Sequence, residues 1–114
     1  MARSLARFRK HALAYPEAWE DHPWGETAFK VRRKIFCFLA EEEDRLRLSF
    51  KLPAAGPFAL SFPFAAPTAY GLGKSGWVSC TFPRGGELPL PLLLDWLDES
   101  YRAVAPKALV KTLE

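Results

Sequence analysis

The chain predicts an α+β fold, a two-layer sandwich in which an N-terminal helix and C-terminal helices pack on one face of an antiparallel β meander. Three observations predict it. Residues 44–51 alternate strictly between polar and apolar side chains, the period of a strand with one dry face. Two further strand-like runs, 27–31 and 34–40, precede this one across short polar turns, and another, 76–82, follows it. Both ends of the chain instead carry apolar residues at three- and four-residue spacing, which is helical.

The elements follow in order. Residues 4–13 read as a helix with Leu5, Phe8 and Ala12 on one side and Arg7 and Lys10, with Arg3 just before it, on another, and Pro16 closes this helix region. Residues 18–25 read as a short edge strand or loop, because Pro23 cannot donate to a central ladder. Phe29 and Val31 share one side of the next strand, and Arg32-Arg33 turns the chain into residues 34–40, apolar on both faces and therefore central. Glu41 to Asp44 form an acidic hairpin turn. Leu46, Leu48 and Phe50 then face the core, leaving Arg45, Arg47, Ser49 and Lys51 on the outer face.

Residues 53–73 are rich in Pro, Gly, Ala and Phe and read as irregular, with a helical turn around 58–61. Beyond them Val78, Cys80 and Phe82 point inward and Trp77, Ser79 and Thr81 outward. Pro89 and Pro91 suit the first turn of a helix carrying Leu93, Trp96, Leu97, Tyr101 and Val104 on one stripe. A short helix over 106–113 ends the sequence.

Composition bounds the function. With 49% apolar and 25% charged residues over 114 positions, the expectation is one globular domain, 1–114, with no segment long enough to span a bilayer. The first ten residues lack the apolar core and cleavage site of a secretory signal, so cytoplasmic residence is expected. Cys37 and Cys80 each sit in an apolar run without metal or redox spacing and read as buried free thiols. The sequence holds no Asn or Gln and 10 Pro, a bias that points to a thermophilic source, although a GC-rich genome produces part of it.

Catalytic chemistry finds little support. Glu17, Glu20, Asp21, His22 and Glu26 form the densest cluster of titratable groups, but their spacing matches no metal site, and only a deep pocket around Glu20, His22 and Trp24 would revive an enzyme. Neither Ser75 nor Ser79 lies in a nucleophile elbow. The run 71–76, Gly-Leu-Gly-Lys-Ser-Gly, lacks the first glycine of a phosphate loop and leads into a strand instead of a helix. The expectation is a non-enzymatic protein without metal or cofactor.

Binding chemistry is better represented. Arg45, Arg47 and Lys51 on the outer face, with Lys30, Arg32, Arg33 and Lys34 in the neighbouring hairpin, are expected to form one cationic surface. Lys74 and an outward Trp77 would add a phosphate contact and a ring on which a base stacks. Against this, such cations also guard edge strands, and the nearby Glu41 to Asp44 weaken the field.

The order and spacing of Trp24-Gly25-Glu26, Phe29-Lys30-Val31, Lys34-Ile35-Phe36, Leu48-Ser49-Phe50-Lys51, Gly73-Lys74-Ser75-Gly76-Trp77 and Ser100-Tyr101 resemble the YjbR/MmcQ family of small bacterial proteins, over nearly the whole chain. The resemblance implies an α+β fold likened to secretion chaperones and to a double-wing arrangement. It also implies DNA binding, with Lys34, Lys51, Lys74 and Trp77 at matching positions and no catalytic residue to transfer. One departure stands out: Phe58, Phe62, Phe64 and Tyr70 occupy a region that is charged and helical in relatives. Left exposed, these rings would pair subunits or grip a protein partner, the alternative to DNA.

Overall fold

Six antiparallel strands form one sheet, and every helix that buries a hydrophobic stripe lies on the same side of it. The computed structural model describes residues 2–113, the side chain of Trp24 excepted. The order of elements is α1 (Ala2–Leu13), β1 (Ala18–Asp21), β2 (Thr27–Val31), β3 (Lys34–Glu41), β4 (Arg45–Lys51), α2 (Gly56–Ala59), β5 (Ala65–Pro67), β6 (Trp77–Pro83), α3 (Leu90–Val104) and α4 (Lys107–Lys111). In space the strands run β1-β2-β3-β4-β6-β5. The α+β class and the two-layer arrangement are those expected from the sequence.

The inner face is built by alternation. Leu46, Leu48 and Phe50 of β4 are fully buried, and Val78, Cys80 and Phe82 of β6 join them. β3 departs from simple alternation for a local reason. Its pairing with β2 shifts between Phe29 and Lys30, which face Cys37 and Ile35, so Phe36 is an extra residue in the ladder. Phe36 and Cys37 are consequently both buried completely.

α1 lays Phe8 and Ala12 on this face, with the Phe8 ring edge-on to Phe29 and Phe50. α3 contributes Leu93, Trp96, Leu97, Ser100 and Tyr101. Tyr15, in the turn after α1, stacks on Tyr101 with ring centres 4.4 Å apart and donates its hydroxyl to Asp98 at 2.9 Å. Burial, with that carboxylate second, raises the Tyr15 pKa above its ordinary value.

The segment between β4 and β6 corrects the sequence expectation. Its helical turn is α2, two residues earlier than expected, and residues 65–67 form β5, although Pro67 lies in it. Proline is tolerated there because β5 is the edge of the sheet. After β5 the chain makes a 3-10 turn at Leu72–Ser75 before entering β6. No helix among the described residues is long and apolar enough to cross a membrane.

Candidate nucleic-acid interface

The strands place the predicted cations on the expected elements, but half of them are engaged by carboxylates. Lys30 donates to Asp21 at 2.7 Å and lies 5.1 Å from the Trp19 ring centre. Arg32 holds Glu17 through two bonds, of 3.1 and 3.2 Å. Arg45 donates to Glu42 at 3.0 Å, while Arg47 bridges Glu42 at 3.1 Å and Glu26 at 3.2 Å. The bond from Lys30 holds Asp21 below the usual carboxylate range, and the bonds from Arg32 do the same for Glu17. A single continuous field over the outer sheet is thereby corrected: at Lys30, Arg32, Arg45 and Arg47 the positive charge is locally cancelled.

The other four, Arg33, Lys34, Lys51 and Lys74, make no ion pair among the described residues. Their location follows from the register. Lys34 opens β3 directly after the turn that carries Arg33, Lys51 closes β4 opposite Trp77, and Lys74 lies just before β6 begins. Antiparallel pairing brings those strand ends to the same end of the sheet. The acidic turn 41–44 lies at the other end, where Glu41 also receives Arg9 at 3.2 Å and Arg84 at 3.5 Å. The paired Arg45 and Arg47 thus lie toward the acidic turn, whereas the four free cations lie toward the other end of the strands, beside the paired Lys30 and Arg32.

Trp77 corrects a second expectation. It stands on the outer face, yet it is only 8% exposed, because it packs on Phe38 of β3 with ring centres 5.4 Å apart. Its face is spent on the protein and cannot stack on a base.

The Phe-rich segment is likewise mostly satisfied at home. Phe62 and Phe64 stack at 5.0 Å, and both rings meet Trp96, with Phe64 also on Phe82 at 4.8 Å. Phe58 stays 58% exposed, and Tyr70 is fully so. The four aromatic residues do not act as one patch.

What the sequence did not reveal is a groove of about 540 Å³ on the outer face. Its floor includes Ala40, Ser49, Ser79 and Thr81, small side chains that leave space above the sheet between Phe38 and Arg47, and its wall is the chain from Ala66 to Leu72. Ser79 Oγ lies 2.8 Å from Ser49 Oγ and 2.9 Å from Thr68 Oγ1, a row of three hydroxyls. The floor residues were readable as outer-face positions, but the groove exists only because residues 66–72 rise beside them.

Around residues 20–26, His22 Nε2 meets Glu20 at 2.8 Å on an exposed surface, and the Trp24 side chain lies outside the described residues. No group of three or more His, Cys, Asp or Glu among the described residues is placed to hold a metal ion.

Comparison with known proteins agrees with this architecture. The chain is similar to the crystal structure of Deinococcus radiodurans protein DR2400, described as carrying a DUF419 domain, with 29% identity and a TM-score of 0.73 over 96% of this chain and 86% of that one. No curated protein matches. The YjbR family model matches residues 13–103, from the end of α1 to the last turn of α3, and so spans the whole sheet and the helix that covers it; the chain belongs to the YjbR family.

Proposed function

We propose that this protein is a non-enzymatic cytoplasmic module that holds nucleic acid by its phosphate backbone, at the end of the sheet that carries Arg33, Lys34, Lys51 and Lys74. One observation carries the reading: these four cations have no carboxylate partner among the described residues, whereas the other four expected in the same surface, Lys30, Arg32, Arg45 and Arg47, do. An unpaired ammonium or guanidinium is free to replace counterions on a phosphate, while a paired one must first give up its carboxylate. Two buried free thiols suit a reducing compartment.

The test compares Lys34→Ala/Lys51→Ala/Lys74→Ala with Arg45→Ala/Arg47→Ala in fluorescence-anisotropy titrations of a labelled DNA at several salt concentrations. The lysine variant is expected to lose about tenfold or more in affinity, and its log K against log salt line to flatten by about 2 to 3. The arginine variant is expected to bind like the wild type. Equal binding by the wild type and the lysine variant, or no binding by either, would reject the proposal.

The protein-partner reading keeps Phe58 of α2 and the neighbouring Leu60, 41% exposed, as its apolar contacts. It is the weaker of the two, because Phe62 and Phe64 are already covered by Trp96.

A further inference from the structure

We infer that the outer-face groove is a nucleobase site, so that the ligand engaged at the cationic end is single-stranded, with one base lifted out of its stack and seated on the hydroxyl floor. The inference rests on the nucleic-acid reading above and specifies the form of that ligand.

The charge of the groove sets the class of ligand. Its one cation, Arg47, already lies between Glu26 and Glu42 and offers no net attraction to an anion. A phosphate belongs elsewhere, and a neutral ligand fits. The hydroxyl row requires that ligand to be polar. Ser49, Ser79 and Thr68 each own one proton, and the two contacts among them use two; the third has no other acceptor among the described residues. A donor and several lone pairs therefore remain for a ligand edge carrying both acceptors and donors, as a base edge does. The volume, about 540 Å³, lies within the range of small-molecule sites.

Tyr70 supplies an independent observation. Tyr70 lines the groove, its side chain is fully exposed, and its backbone sits at φ +59°, a conformation that bulky side chains rarely adopt. A large apolar ring held in water on a strained backbone gains nothing for the fold. On the wall beside a polar floor it offers a stacking surface, the part that Trp77 cannot play. The groove also adjoins the cationic end: Ser49 and Lys51 are successive outer-face residues of β4, about 7 Å apart. A base on the floor leaves its phosphate within reach of that lysine.

The experiment measures a labelled dT oligonucleotide and a duplex of the same length against wild type, Tyr70→Ala and Thr81→Trp, with neutral nucleosides, thymidine and adenosine, titrated separately by amide NMR. Tyr70 and Thr81 are both exposed, so neither change removes core packing. Single-strand affinity is expected to exceed duplex affinity and to fall about fivefold or more in both variants, duplex affinity being unchanged. Equal affinity for the two forms, insensitive to both variants, would overturn the groove inference and leave the phosphate proposal standing. Binding of neither form would sink the phosphate proposal. The groove would then survive only as a site for free nucleosides, if these shift the amides of Ser49, Ser79 and Thr81 in the wild type and not in Thr81→Trp. Absence of those shifts would overturn it as well.

Discussion

Ser100 of α3 reaches into the sheet and accepts the backbone N–H of Lys51 at 2.7 Å, while its hydroxyl proton goes to the carbonyl of Phe36 at 2.5 Å. These are the groups where β3 and β4 part company, below the last paired residues Cys37 and Phe50. One buried hydroxyl thus satisfies two backbone groups that the bulge at Phe36 pulls away from the ladder, and it pins α3 to the end of the sheet that carries the free cations. Ser100→Ala leaves both groups unpaired and is expected to cost about 2 to 3 kcal/mol in urea unfolding. Lys51→Ala keeps the backbone bond and is expected to change stability by less than about 0.5 kcal/mol. That separation makes the lysine variants clean reporters of binding.

Stability is expected to fall on the alkaline side. Burial raises the Cys80 thiol from 9.0 to about 12 and the Cys37 thiol well above 9.0, and burial likewise raises Tyr15 and Tyr101 above 10.0. In the unfolded chain these groups lose protons near their ordinary values, whereas the folded chain retains them. The folded state therefore binds more protons in this window, and stability, complete below about pH 9, declines as pH rises, by up to about 1.4 kcal/mol per pH unit for each group. Urea midpoints at pH 7, 9 and 10.5 measure the decline. Cys37→Ala/Cys80→Ala is expected to reduce its slope between 9 and 10.5.

Much of the fold was legible because one face of the sheet is dry and the strands advertise it: Leu46, Leu48 and Phe50 could only point one way. The position of β3 was legible for the same reason, although the bulge at Phe36 was not, since an apolar residue on either side of a central strand looks alike. β5 was hidden because its residues, Ala-Ala-Pro, carry no strand preference and are held by pairing to β6. The candidate site was half legible. Which strands hold cations is a local property, but whether each is free depends on distant carboxylates: Glu26 reaches Arg47 across 21 residues and Glu17 reaches Arg32 across 15. The burial of Trp77 was not legible, because alternation fixes the face a side chain takes and not what covers it there, and Phe38 covers it.

The aromatic segment separates a structural ring from a spare one. Phe62 is stacked on Phe64 and set edge-on against Trp96, so Phe62→Ala is expected to destabilise by about 2 kcal/mol. Phe58, exposed at the end of α2, meets Phe62 by its edge alone, and Phe58→Asp is expected to cost less than about 1 kcal/mol. Thermal and urea unfolding check both. Light scattering on the same samples checks the alternative function: a lower mass for Phe58→Asp than for the wild type would be the signature of a homodimer through this ring, and unchanged mass is expected.

The groove wall depends on Gly73. A Cβ placed there would come within 2.8 Å of Pro67 Cβ and 3.1 Å of the Thr68 carbonyl oxygen, a clash with groups fixed by β5 and by the backbone bond from Gly73 N to Thr68 O at 3.0 Å. Neither neighbour is the end of a flexible side chain, so the segment itself must move. Gly73→Ala is expected to cost about 1 to 3 kcal/mol and to displace Thr68 from Ser79, opening the hydroxyl row. Gly71, whose added Cβ would meet nothing within 4 Å, carries only its φ of +79°, and Gly71→Ala is expected to cost about 1 kcal/mol without moving the wall. Amide exchange of Thr68 and Ser79 distinguishes the two: faster in Gly73→Ala, unchanged in Gly71→Ala. Because Gly73 adjoins Lys74 without altering its charge, a loss of single-strand binding in Gly73→Ala with duplex binding retained would trace the preference to the wall and not to the cations.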